Sequence, residues 1–230
     1  MLGIILAGGR GSRLGPDAPP KPLVPINGVP LVCHVAELLQ RAGGSQILIA
    51  TGHRGSEVSE ALGQHSNLET VDTGKDTPNG GRLHRLAPRV QGPSFLLAWC
   101  DALTDADLNQ LENQRRSTGA EACLLAVHPP ERFGRLNLEG SRVAGFTEKQ
   151  SDPSRWINGG FFALSASVLS RLTPTTDLER DLFPTLALEG QLTALRHNGF
   201  WACMDNLHEA RALEQALAAG GPLRRVKEPG

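Results

Sequence analysis

The chain has 230 residues, of which 40% are hydrophobic and 20% charged, and a formal net charge of −1. That length can bury a sizeable core, and the lack of basic excess argues against a nucleic-acid partner. The N-terminal apolar run is too short for a signal peptide or a membrane span. Cys33, Cys100, Cys123 and Cys203 are widely spaced and form no C-x-x-C pair, as expected for reduced thiols of a cytoplasmic protein rather than for structural zinc.

The first element is a β-prone run, Leu2, Ile4, Ile5 and Leu6, which ends abruptly in Ala7-Gly8-Gly9-Arg10-Gly11-Ser12-Arg13. Glycine after a buried strand lets backbone N–H groups approach a ligand with no Cβ in the way. Arg10, Arg13 and Lys21 follow within a dozen residues, so the implied ligand carries several negative charges. The loop lacks the Gly-Lys-Ser/Thr ending of a P-loop, and Leu14 stands where a dinucleotide fingerprint wants glycine. Prolines at 16, 19, 20 and 22 oppose a long helix here. Lys21, preceding Pro22, is predicted to be extended and to reach across a site.

Val29 to Arg41 carries Leu31, Val35, Leu38 and Leu39 at helical spacing, and Gly43-Gly44 stops it. Residues 46–50 (QILIA) form a short buried strand, 51–55 a turn, 57–62 a helix and 67–71 a strand. A polar, glycine-rich loop is predicted over 72–82. The run 93–99 (PSFLLAW) is a strand ending at Cys100-Asp101. Thr104 and Asp107 make a capping box for a helix to Ser117, and 121–127 is a strand. Strands and helices alternate to this point, which implies parallel strands joined by crossover helices.

Residues 134–138, 142–148 and 156–164 then read as strands with short links, so antiparallel additions are expected. Helices follow over 176–188 and 207–219, the latter with Leu207, Ala210, Leu213 and Leu217 on one face, and 221–230 reads as a loose tail. The expected architecture is α/β: one Rossmann-like mixed sheet in a single domain over 1–220. Its 1–128 part carries the glycine loop and the alternating elements, and its 129–220 part the antiparallel additions.

In open α/β sheets ligands bind beyond the carboxyl ends of parallel strands. The glycine loop, Thr51-Gly52 and Asp101 all fall at such ends. Asp101, in a crevice with a phosphate loop, suits Mg²⁺, which prefers carboxylate and phosphate oxygens; a turn aspartate is the alternative. Glu148 and Asn158 suit hydroxyls, Lys149 a phosphate, and Gly159-Gly160 a bulge or a ligand pressed on the backbone. Asp205 is a candidate N-cap of the last helix. No Ser-His or Cys-His nucleophile pair stands out.

Leu6-Ala7-Gly8-Gly9-Arg10-Gly11-Ser12-Arg13-Leu14 followed by Lys21-Pro22 resembles the signature of the sugar-phosphate nucleotidyltransferases, L-A-G-G-x-G-S/T-R-L then K-P. Asp72-Thr73-Gly74-Lys75-Asp76-Thr77 with Gly80-Gly81-Arg82-Leu83, Pro129 to Gly134, Glu148-Lys149, Trp156 to Phe162, and Arg196 to Trp201 with Met204-Asp205 are similar to the family's glucose-1-phosphate cytidylyltransferase branch. The resemblance implies transfer of CMP from CTP to a sugar 1-phosphate, glucose 1-phosphate first among them, by a homo-oligomeric Mg²⁺ enzyme whose 1–128 part is mainly nucleotide-binding and whose 129–220 part is mainly sugar-phosphate-binding. It implies that Leu6, Ala7, Gly8, Gly9, Gly11, Ser12 and Arg13 meet the nucleotide and that Lys21 stabilises charge on the transferred phosphate. Thr77, Gly80, Gly81 and Arg82 would recognise cytosine. Asp101 and Asp205 would hold Mg²⁺, Arg13, Lys21 and Asp101 would act in catalysis, and Gly134, Glu148, Lys149, Asn158 and Gly159 would receive the sugar phosphate. Trp99-Cys100-Asp101-Ala102 stands where the family carries Tyr-Gly-Asp-Gly, so two β-substituents are expected near the nucleotide.

Overall fold

A computed structural model describes residues 1–15, 18–63, 65–129, 133–148 and 154–218. β1 (Leu2–Leu6) leads through the glycine loop and two single 3-10 turns, Ser12–Leu14 and Lys21–Leu23, to a tiny hairpin of β2 (Pro25–Ile26) and β3 (Val29–Pro30). The chain continues as α1 (Leu31–Arg41), β4 (Gln46–Thr51), α2 (Gly55–Leu62), β5 (Leu68–Asp72) and α3 (Asn79–Leu86). Next come β6 (Ser94–Trp99), β7 (Ala102–Thr104), α4 (Asn109–Thr118) and β8 (Ala122–Val127). The hairpin β9 (Arg135–Glu139) and β10 (Arg142–Thr147) precedes β11 (Ile157–Ser165). A wide helical turn at Leu178–Leu182 runs into α5 (Phe183–Leu188), followed by β12 (Leu192–Arg196), β13 (Trp201–Cys203) and α6 (Leu207–Ala218).

Seven strands form one mixed sheet in the order β12-β8-β11-β6-β1-β4-β5. β11 runs antiparallel to β6 and β8, and every other pairing in the sheet is parallel. The central strands are apolar throughout because both faces are covered. Alternate residues face opposite sides: Ile5, Ile49 and Phe161 pack with Leu31, Val35 and Leu39 of α1, and Ile4, Leu48 and Phe162 with Leu83 and Leu86 of α3 and Leu186 of α5.

Several sequence expectations are corrected. Only β11 of the three C-terminal strands enters the main sheet; β9 and β10 pair with each other, and the unpredicted β12 rejoins β8 in parallel. The predicted loop over 72–82 gives way at Asn79 to α3, a helix made by burying Leu83 and Leu86 despite its glycines and the preceding Pro78. Thr104 ends β7 rather than opening a helix: its hydroxyl donates to the Phe200 carbonyl and accepts from the Ala106 N–H, and Asp107 alone takes the Asn109 N–H at the start of α4. The helix over 176–188 becomes the wide turn and α5, and the tail from 221 lies outside the described residues. No helix among the described residues is long and apolar enough to cross a membrane.

Candidate active site

Above the carboxyl ends of β1 and β6 lies a cavity of about 460 Å³. Leu6, Ala7, Gly8, Gly9, Gly11, Ser12 and Arg13 line it, with Lys21, Thr77, Arg82, Asp101 and Asp205. The sequence therefore located most of its wall. Pro22, Trp99 and Cys100, which flank signature residues, also line it, as do Asn79 and Glu179, which carried no sequence signal of their own.

The glycine loop is held from behind. Arg82, 5% exposed, donates through its two terminal nitrogens to the carbonyls of Gly8 at 2.8 Å, Thr51 at 2.9 Å, Gly74 at 2.8 Å and Lys75 at 3.4 Å, and to the Thr73 hydroxyl at 2.8 Å. Burial pulls the guanidinium below its ordinary value, reinforced by Arg85 and partly offset by Asp72 and Asp76. Arg82, expected at the cytosine, lines the cavity and also fastens three loops together. Its closeness also explains Gly8 and Gly52, where an added Cβ would sit 2.1 and 2.5 Å from the guanidinium.

Lys21 opens a 3-10 turn instead of lying extended, because the turn stacks Pro22 into the core and leaves the side chain aimed at the cavity. Its ammonium donates to Asp101 at 2.8 Å and to Asp205 at 2.9 Å, and Arg13 reaches the other oxygen of Asp205 at 2.7 Å. Burial lowers the Lys21 affinity for its proton, but the two carboxylates outweigh it and keep the ammonium charged. The same contacts hold Asp205 below the usual carboxylate range.

The ribbon of β7 and β13 brings these carboxylates together. Cys203 pairs with Ala102, and the Met204 N–H donates to the Asp101 carbonyl at 2.8 Å. Asp205 is not the helix cap: Asn206 accepts the Glu209 N–H, and Glu209 accepts the Asp205 N–H. Both aspartates are thus free of structural duties and face the cavity. Two adjacent carboxylates beside a phosphate loop fit Mg²⁺, which takes one or two carboxylates together with substrate phosphates. Ala102, 2% exposed, adds its methyl to the core and does not line the cavity, whereas Cys100, 8% exposed, forms part of the cavity wall. Burial, reinforced by Asp101, pushes the Cys100 thiol up to about 12, which leaves it no nucleophilic role.

The expected sugar-phosphate residues are spread more widely. Gly134 lies against Phe146 and Glu148 on the separate hairpin, and neither Gly134 nor Glu148 lines the cavity. Lys149 lies outside the described residues. Asn158 accepts the Gly160 N–H at 2.9 Å within a bulge of β11. Gly159 gives its carbonyl to the Trp201 indole at 2.8 Å, and Gly160, with φ of +80°, lets the Trp99 ring pack against its backbone. Gly80 and Gly81 do not line the cavity; an added Cβ would meet the carbonyls of Thr176 at 2.6 Å and Pro174 at 2.2 Å.

A phosphate loop, two carboxylates and two cations at the mouth of a mixed α/β sheet define a nucleotide-handling enzyme. The model of the MobA-like NTP transferase domain matches residues 3–223. The chain belongs to this family and is a sugar-phosphate nucleotidyltransferase. It is 32% identical to a glucose-1-phosphate cytidylyltransferase of Salmonella typhi over 93% of this chain and 95% of that one. A mannose-1-phosphate guanylyltransferase of Mycobacterium tuberculosis is 30% identical over 81% of this chain and 55% of its own length. In fold, a Bacillus anthracis protein solved with sucrose gives a TM-score of 0.75 at 22% identity, covering 99% of this chain and 97% of that one.

Proposed function

We propose that the chain transfers CMP from CTP to a sugar 1-phosphate, with glucose 1-phosphate the first candidate, and so forms a CDP-sugar and pyrophosphate. The observation that carries the reading is the Lys21 ammonium set between Asp101 and Asp205 beneath the glycine loop. Cytidylyl transfer is favoured over guanylyl transfer because the similarity to the Salmonella enzyme spans nearly the whole of both chains.

An oxygen of the sugar phosphate bonds to the α-phosphorus while the bond to the bridging oxygen breaks, and pyrophosphate carries that electron pair away. The attacking oxygen is already anionic, so no general base is needed. The residues must instead align two polyanions and offset their repulsion. The N–H groups of Gly8 to Arg13 and the Arg13 guanidinium cradle the triphosphate, and Lys21 neutralises charge on the transferred phosphate. Thr77 stands at the base end. Asp101 and Asp205 would hold Mg²⁺, which supplies charge neutralisation of the phosphates and orients them. Glu148, Lys149 and Asn158 are proposed to receive the sugar phosphate, and the working form is proposed to be a cytoplasmic homo-oligomer.

Pyrophosphate release measured with Mg²⁺, glucose 1-phosphate and each of CTP, UTP, GTP, ATP and dTTP tests the assignment. Release with CTP in strong preference, dependent on the sugar phosphate, is expected. Release with GTP or dTTP instead would overturn the choice of base. Light scattering tests the oligomer, which a monomer at working concentration would refute.

A further inference from the structure

Glu179 is an exposed carboxylate on the cavity wall, apart from the Asp101 and Asp205 pair that engages Lys21. It lines the same space as Gly8, Arg13, Lys21 and Asp101. Its place is fixed from two sides. Asp177 accepts the N–H groups of Glu179 and Arg180 at 2.9 and 3.0 Å, and Asn79 of α3 accepts the Leu178 N–H at 2.7 Å. The Gly81 N–H donates to the Thr176 carbonyl at 3.0 Å, so the wide turn is clamped to the same helix.

The charges that act on Glu179 are those of Asp177 and Asp101, both anions, while the neutral Asn158 amide and Trp99 indole donate hydrogen bonds to it and orient it. An anion with that company repels the triphosphate and the acceptor phosphate alike. Exposed to solvent and oriented by its two donors, it is matched instead by a neutral, donor-rich part of a ligand. A sugar ring offers such donors in pairs of adjacent hydroxyls, and a carboxylate accepts two of them at once. The indole of Trp99, backed by Phe162 at a centroid distance of 4.8 Å, gives the apolar floor on which a sugar ring rests.

We infer that Glu179 binds adjacent hydroxyls of a sugar ring in this cavity and so selects hydroxyl-bearing over deoxy substrates. This rests on the nucleotidyl-transfer reading above. The ring belongs either to the ribose of the nucleotide or to the acceptor sugar, whose chemistry at this carboxylate is the same.

The test compares wild-type and Glu179→Gln enzyme with CTP, 2′-dCTP and 3′-dCTP, and with glucose 1-phosphate and its 2- and 3-deoxy analogues. Wild type should prefer the full hydroxyl set, and Glu179→Gln should raise the KM of one substrate by about 10-fold or more. The variant should also lose the corresponding deoxy discrimination, with kcat much less affected. Loss on the nucleotide side assigns the ribose, and loss on the acceptor side the acceptor sugar. Unchanged KM values and discrimination, or a change confined to CTP against UTP, would overturn the inference. Calorimetric titration of the same ligands separates the two readings. If wild type binds them without turnover, the transfer reading fails, yet the difference between hydroxyl and deoxy ligands in the variant still decides the role of Glu179.

Discussion

Replacing Arg82 by lysine asks whether the phosphate loop is fastened from behind. A single ammonium cannot reach the carbonyls of Gly8, Thr51 and Gly74 together as the planar guanidinium does. Each buried acceptor left without a donor costs about 1–3 kcal/mol, and for a chain this long 1 kcal/mol moves Tm by about 2–4 °C. A fall of about 5 °C or more is expected in thermal melts; an unchanged Tm would remove Arg82 from this task. Glu179 predicts the opposite sign. Burial, then Asp177 and Asp101, raise its carboxyl above the ordinary 4.5, so the folded chain holds that proton more tightly than the unfolded one. The stability linked to that proton is complete below 4.5 and is lost as pH rises through the raised value. Glu179→Gln should therefore melt at or above wild type at pH 7.5, with the gap closing as pH falls to 4.5. A variant less stable than wild type at pH 7.5 would contradict this. Lys21, Asp101 and the loop were legible in the sequence because each sits in a run whose spacing states its chemistry. Glu179 was not, since a lone glutamate in Leu178-Glu179-Arg180 looks like any solvated helix residue, and the fold leaves it exposed while setting it at the edge of the cavity. Arg82 was legible as a charge but misplaced as to its partner, because backbone carbonyls leave no trace in a sequence.

Among the elements, α3 shows most clearly what pattern reading misses. Its glycines and the preceding proline argue for a loop, yet the glycines are what allow it to approach residues 174–176. A Cβ on Gly81 would lie 2.2 Å from the Pro174 carbonyl, which is backbone and cannot swing aside. Gly81→Ala should cost about 1–3 kcal/mol, as overpacking does, and should weaken turnover because the displaced segment carries Glu179. Near-normal melting and kinetics would show that the segment yields easily. β12 was equally hidden: it is half-exposed and short, and gains its place from pairing with β8 and packing against α4 and α5. The strands β1, β4, β6 and β8 were plain, since double burial demands uninterrupted apolar runs.

At the level of the whole molecule, the order of the sheet governs what can fold alone. β11 lies between β6 and β8, so the expected nucleotide-binding part, residues 1–128, lacks the strand that joins its own neighbours. That fragment should express without cooperative unfolding; a sharp melting transition would show otherwise. The cavity draws its walls from Leu6 through Asp205, so a ligand there stabilises the entire chain. CTP with Mg²⁺ at 100 times Kd should add about 2.7 kcal/mol, or about 5–10 °C in Tm.

The ammonium of Lys21 between Asp101 and Asp205 makes the site its own counterion in the absence of substrate. On the proposed reading, a divalent cation arriving alone would have to evict a charge already well paired, whereas one arriving with a triphosphate would find Lys21 drawn towards the phosphates. Nucleotide and metal affinities are then thermodynamically linked, and each raises the other by the same factor. Calorimetry should find Mg²⁺ weak by itself and tighter with CTP. Lys21→Met should bind Mg²⁺ alone more tightly than wild type, yet lose about 10²–10³ in turnover.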